Sequence, residues 1–311
     1  MKKIVFTLFI ITMCSLTSKP IGLEHGILWR ISGNGLTKPS YIFGTHHIFS
    51  EKILDSIPGF YKAFDSVERV MAEVNSDDAK SSSEAVKYLS SPSVKMPIDT
   101  TYRDIFSKKD LQQVDSFFLQ YLHCKSDRVY IRPDIANTFI IQMIQKEYMP
   151  KAYQNINGTL DGYIRNKAVT NGKEVDGLET VDEQMEIVYG KRSNLRVEAK
   201  HLIDFINSLP DCYESLKQNI RAYQNQDLNA LKENWDKTLC TGLKLKEDSI
   251  RNKTRSEELL KNRNLRWMKK LDNLINEQPT LIEVGVMHLV GEYGLINQFR
   301  ILGYNVNPVR E

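Results

Sequence analysis

The sequence predicts an α/β fold: two sheet-bearing halves related by internal duplication, flanked by helices, with a large helical insertion. Three observations predict it. Short β-branched and aromatic runs crowd both ends of the chain, GILWRIS and PSYIFG near the start, PTLIEVG and YNVNPV near the finish. The middle is polar, with apolar residues at helical spacing. The two ends also echo each other. PSYIFGTHH and PTLIEVGVMH both read Pro, apolar strand, Gly-x-x-His, each followed by a helix and a second strand. No tandem period runs between them, which separates a two-fold duplication from a solenoid.

Taken in order, GILWRIS and PSYIFG flank GNGLTK, a glycine-asparagine turn signal, and so read as a β-hairpin. SEKILDSIPGFYKAFDSVE follows as a helix with Ser50 at its N-cap, then RVMAEV as a short strand. From about 77 to 149 the chain is polar and helical, interrupted by a loop at SSPSVKMPIDT. TLDGYIRNKAVTNGKEVDGLET reads as a helix stopped by Asn171-Gly172, the strand KEVDGL, and a loop carrying Glu179. Residues 181–277 are rich in Lys, Glu, Asn and Leu and read as helices with a break near Pro210. The last strand, a glycine turn bearing a histidine, a helix, Gly303 and a closing strand end the chain. The domain thus spans 26–311, with helical insertions at about 77–160 and 181–277.

The first residues differ from the rest. Met1-Lys2-Lys3 precedes the apolar run IVFTLFIITM and then CSLTS, the three zones of a secretory signal covering 1–18, too short to span a membrane. The expected location is secreted or periplasmic. Cys14 offers an alternative, a lipid-modified first residue after Ile11-Thr12-Met13, and membrane attachment is expected only in that case. Removal of 1–18 lowers Lys+Arg from 42 to 40 against 39 acids. A near-neutral chain without a basic stripe argues against a nucleic-acid partner. Of the cysteines beyond the leader, Cys124, Cys212 and Cys240, the pair Cys212–Cys240 is the expected disulfide, since both lie in one helical region. No Cys/His spacing suits structural zinc.

Two Gly-x-x-His corners at strand ends carry the chemistry. Gly44 and Gly285 let the backbone turn at the sheet edge, and His47 and His288 then point across the crevice where open α/β sheets bind ligands. Two imidazoles and one carboxylate suit a divalent metal with open positions for water. Glu73 in VMAEVN is the leading carboxylate; as an edge-strand acid it would simply face water. Glu179 stands at a comparable strand end, as second acid or water-activating base. Glu283 lies mid-strand and is expected to meet an arginine. His46 points elsewhere, as a supporting group or substrate contact. In LLKNRNLRWMKKL, Arg263 and Asn264 read either as a clamp for a carbonyl or carboxylate or as a helix joint with Trp267 buried. His25, His123 and His201 have no partner motif.

At these residues the chain resembles the TraB/GumN family, which includes the Tiki proteins. SYIFGTHH, VMAEVN, LDGYIRNKAVTNGKEVDGLETVDEQ, RNLRW and VGVMHLVGEYGLINQFRILGYNVNPV carry the likeness, across nearly the whole chain beyond the leader. The resemblance implies a cleft between sheet-bearing halves and, in the Tiki branch, a peptidase using manganese or cobalt, with zinc as a further candidate. It implies His47, Glu73 and His288 as metal ligands, and Glu179, Arg263 and Asn264 as supporting polar groups. The departure is His46, where the family more often has an apolar residue. The expected activity is a metal-dependent hydrolase of an extracytoplasmic peptide or protein. The alternative is an envelope protein that sequesters a peptide or haem without turnover. The sequence leaves the substrate and the oligomeric state open.

Overall fold

The turn GNGLTK folds the chain back as its composition implies, with Gly33, Asn34 and Gly35 all at positive φ. It joins β1 (Leu28–Ser32) to β2 (Ser40–Thr45) as an antiparallel hairpin, Leu28 opposite Phe43. The computed structural model describes residues 25–75, 79–154, 158–190, 193–241, 253–254 and 256–311. The expected leader, Cys14 included, lies outside the described residues.

The helix expected after Ser50 is shorter than its apolar spacing suggests. Residues Glu51–Ser56 form a 3-10 turn, Ser50 makes no side-chain cap, and Pro58-Gly59 restarts the chain as α1 (Phe60–Ser66) with Gly59 in the left-handed region. β3 (Arg69–Ala72) follows, and Glu73 sits one residue past its end. Helices α2 (Ala79–Leu89), α3 (Tyr102–Ile105), α4 (Lys108–Leu122) and α5 (Pro133–Tyr148) make the first insertion. Next come α6 (Leu160–Thr170), capped by Thr159 and ended at Asn171-Gly172, and β4 (Glu174–Gly177). The short helix α7 (Val181–Met185) starts on a capping box between Thr180 and Glu183.

The break expected at Pro210 does not occur. α8 (Leu195–Gln224) runs through that proline, which forfeits one backbone donor inside a helix otherwise held by packing. The helix stops instead at Asn225, ahead of α9 (Leu228–Thr241). α10 (Asn262–Glu277) leads into β5 (Thr280–Gly285), a 3-10 turn Val286–Leu289, α11 (Leu295–Ile301) and β6 (Asn305–Pro308).

Both ends of the chain enter one six-stranded sheet, in the order β4-β3-β5-β2-β1-β6. β5 lies between β2 and β3, parallel to both, with Thr45 beside Gly285 and Ala72 beside Glu283. β4 runs parallel to β3, so four parallel strands end on one edge. The echo between the ends does not extend to their partners: β3 pairs with β5, while β6 pairs antiparallel with β1. The sheet core is built on fully buried Trp29, Phe43, Ile282 and Phe299. A second core, with Tyr102, Phe118, Ile140 and Leu202, holds α3, α4, α5 and α8 together. Cys124 and Cys212 are free thiols, so the expected Cys212–Cys240 disulfide is not formed. Cys212 faces Ser208 one turn back on its own helix, and the side chain of Cys240 lies outside the described residues. Among the described residues no helix is long and apolar enough to cross a membrane.

Candidate functional site

Four parallel strands deliver four side chains to one edge: His47 after β2, Glu73 after β3, Glu179 after β4 and His288 after β5. The glycines of the two corners do not serve as turns at positive φ. Gly44 lies inside β2, where a Cβ would stand 2.9 Å from Val286 Cγ2 and 3.0 Å from Val286 Cα. A Cβ on Gly285 would stand 3.2 Å from Glu73 Oε1, which instead accepts a 2.7 Å bond from the Gly285 N–H. Their role is close approach: each lets the neighbouring segment reach the strand end.

His288 is buried, and its tautomer follows from its neighbours. The Asn264 Nδ2 donates to the carbonyls of His288 (3.0 Å) and Tyr293 (2.8 Å), which turns Asn264 Oδ1 toward His288 Nδ1 at 2.6 Å. Nδ1 therefore carries the proton, and Nε2 keeps its lone pair and accepts from Arg263 Nη1 at 3.0 Å. Trp267 covers the ring, centroid to centroid 4.5 Å. Burial lowers the His288 pKa to about 3; Glu73 opposes this, while Arg263 and His47 reinforce it, so the ring is neutral.

Arg263 is the centre of the cluster. Its Nε reaches both Glu179 oxygens (2.9 and 3.2 Å), and its Nη2 reaches Glu179 Oε1 (2.6 Å) and Glu73 Oε2 (2.5 Å). Glu179, with a side chain 1% exposed, also accepts from Arg266 and from the Trp267 indole. Burial would raise the Glu73 pKa, but His288, Arg263, His47 and the Gly285 N–H outweigh it and hold it at about 2. Glu73 Oε2 also accepts from Gln184 at 3.1 Å. Arg263, Asn264 and Trp267 all face inward from α10, with Trp267 buried as the helix-joint reading expects. Glu179 faces the guanidinium groups of Arg263 and Arg266 and the Trp267 indole.

His47 stands apart, its side chain 56% exposed. Its Nδ1 bonds Asp161 Oδ2 at 2.7 Å, and Thr45 donates to the other oxygen. The charge of Asp161 raises the His47 pKa to about 9, with smaller upward help from Glu73. His46 packs edge-on against Phe49 and Tyr223, and burial lowers its pKa to about 4. Glu283 is buried mid-strand, opposite Phe43 and Ala72. A cavity of about 500 Å³ runs along another face of α6, past Thr159, Gly162 and Asn166, and none of the strand-end donors lines it.

Asp161 escapes a reading by motif. Its signal is an acid beside Leu160 and Ile164 on the buried side of α6, with Arg165 one turn on. Gln184, Arg266 and Trp267 complete the surroundings of the two glutamates, and only the tertiary fold brings them there.

The donor set fits a divalent cation in kind. His288 presents a neutral nitrogen, Glu73 an ionised carboxylate 3.6 Å from it, and His47 a ring oriented by a carboxylate, as metal-binding histidines usually are. Among the described residues no three His, Cys, Asp or Glu side chains converge closely enough to hold one as they stand. Arg263 holds the lone pair of His288 and one oxygen of Glu73.

The model of the TraB/PrgY/gumN family matches residues 27–308, nearly the whole described chain. The chain belongs to that family. A relative from Amphimedon queenslandica, named "Metalloprotease TIKI homolog", is 22% identical over 333 residues, which cover 91% of this chain and 61% of that protein. This TraB/PrgY/gumN chain thus spans about three fifths of that relative's length. No solved structure matches it.

Proposed function

We propose that this chain is a metal-dependent hydrolase acting on peptide bonds of an extracytoplasmic substrate. One observation carries the reading: two imidazoles fixed in orientation at Nδ1 and a carboxylate ionised at neutral pH share the edge of four parallel strands. His47, Glu73 and His288 are the residues that would hold the ion. A bound divalent cation supplies Lewis acidity toward a carbonyl and a water of lowered pKa. The chain's own groups do the positioning. Asn264 fixes the tautomer of His288, Asp161 orients His47, and the Gly285 N–H fixes Glu73. Glu179 acts through Arg263, which it holds against the other donors. The relative's printed name supports the reaction class, and the leader-like first residues support the compartment.

The rival reading is capture without turnover, favoured by the guanidinium that occupies His288 and Glu73. Digestion of a peptide library with the purified chain separates the two. Cleavage that stops with EDTA, returns with manganese or cobalt, and disappears in the exposed-site variant His47→Ala supports the hydrolase. Intact peptides under every metal condition, or undiminished cleavage by His47→Ala, would overturn it.

A further inference from the structure

An imidazole nitrogen has one lone pair, and His288 Nε2 gives it to Arg263. Glu73 Oε2 likewise takes the 2.5 Å bond from Arg263 Nη2. These are two of the donors assigned above to a divalent cation. The cluster therefore already holds a cation, and that cation is a side chain.

The guanidinium has a second hold. Three of its bonds go to Glu179, which is itself backed by Arg266 and the Trp267 indole. Giving up His288 and Glu73 leaves the Glu179 anchor in place. The backbone behind Arg263 is also irregular. A π-helical turn, Glu257–Lys261, runs straight into α10, and Leu259 within it accepts from Arg263 Nη1 at 3.2 Å. A second π turn, Glu186–Gly190, meets the first, and a cavity of about 220 Å³ between them is lined by Glu186, Glu258, Asn262 and Arg266. π turns within helices concentrate at functional sites. Here one π turn adjoins the helix that carries Arg263, and the cavity is lined by Asn262, its neighbour in the chain.

We propose that Arg263 is a built-in competitor of the divalent cation: His288 Nε2 serves one occupant at a time, the Glu73 carboxylate follows it, and Glu179 retains the guanidinium when the cation takes them. This rests on the reading of His47, Glu73 and His288 as cation donors. Cation affinity is then set by Arg263 as much as by the ligands themselves.

The test is calorimetric titration of the full chain with manganese(II) or cobalt(II) chloride, with folding checked by circular dichroism. The double variant Glu179→Gln/Arg263→Gln removes one positive and one negative charge, so any gain reports freed donors and not altered net charge. It should bind about tenfold tighter or more than wild type, since a charge-assisted hydrogen bond no longer has to break. Arg263→Lys keeps the charge but cannot span both donors, and should bind tighter by a smaller factor. Adding His288→Gln to the double variant should abolish the gain. Equal dissociation constants for wild type, Arg263→Lys and the double variant would overturn the competition while leaving the metal reading intact. Heat-silent titrations of every folded variant would overturn the metal reading and the competition with it. Should the double variant not fold, Arg263→Lys decides alone.

Discussion

Two buried Arg–Glu clusters stand out among the described residues, and they are built on different plans. In the helical insertion, Arg132 at the start of α5 grips Glu198 in the first turn of α8, through Nε at 3.0 and 3.2 Å and Nη2 at 2.7 Å, with the Ser193 carbonyl beside it. The carboxylate bonds of this guanidinium all go to Glu198, whose side chain is fully buried. At the sheet edge, one guanidinium serves two carboxylates and an imidazole at once. The first arrangement clasps two helices. The second ties acceptors from three strand ends to one arginine, the arrangement that the proposed exchange of cations requires.

Truncation should show the largest effects. Arg263→Ala, which strands Glu73 and Glu179 in the interior, should cost about 3–5 kcal/mol in urea denaturation, and Arg132→Ala should cost a similar amount. Apolar replacement of both partners then tells the clusters apart. Arg132→Met/Glu198→Leu should recover most of the loss, whereas Arg263→Met/Glu179→Leu should recover less, because Glu73 still lacks its guanidinium. Equal recovery at the two sites would erase the distinction drawn here.

Smaller effects sharpen it. Gly44→Ala pushes a methyl into Val286 and should cost about 1–3 kcal/mol, read from the denaturation midpoint. Thr180→Ala, which removes the cap of α7 just beyond Glu179, should cost about 1 kcal/mol.

The smallest effect is one of pH. In the cation-free chain His47 should titrate near pH 9 by NMR, and Asp161→Asn should move that titration down toward the ordinary histidine range. Because the folded value lies above 6.5, the pair's small contribution is complete below pH 6.5. It fades as pH rises toward 9. A His47 titration unmoved by Asp161→Asn would remove Asp161 as its cause.

What the sequence discloses follows the range of the forces involved. The hairpin, β3, α6 with its Asn171-Gly172 stop, β4 and β5 are all legible, because turn residues and apolar runs act locally. The helix after Ser50 and the break at Pro210 misread, for a related reason. Pro58-Gly59 cut the first helix within its apolar pattern, while packing carried α8 across a residue that local propensity disfavours. The strand-end histidines and glutamates could be named from spacing, since parallel strands bring their carboxyl ends together. Asp161 could not, nor could the central place of Arg263, because both depend on which helix face meets the sheet edge.

The position of β5 has a consequence for how the molecule is made. The strand that separates β2 from β3 arrives more than two hundred residues after either of them. Until it emerges from the ribosome, the early hairpin and β3 have no partner between them, while the α4–α5–α8 core can already close on contacts nearer in sequence. The crevice thus takes form only late in synthesis, ahead of α11 and β6 alone. A nascent chain cut short before residue 280 carries a finished helical body and an unfinished sheet, with its apolar strands open to wrong partners.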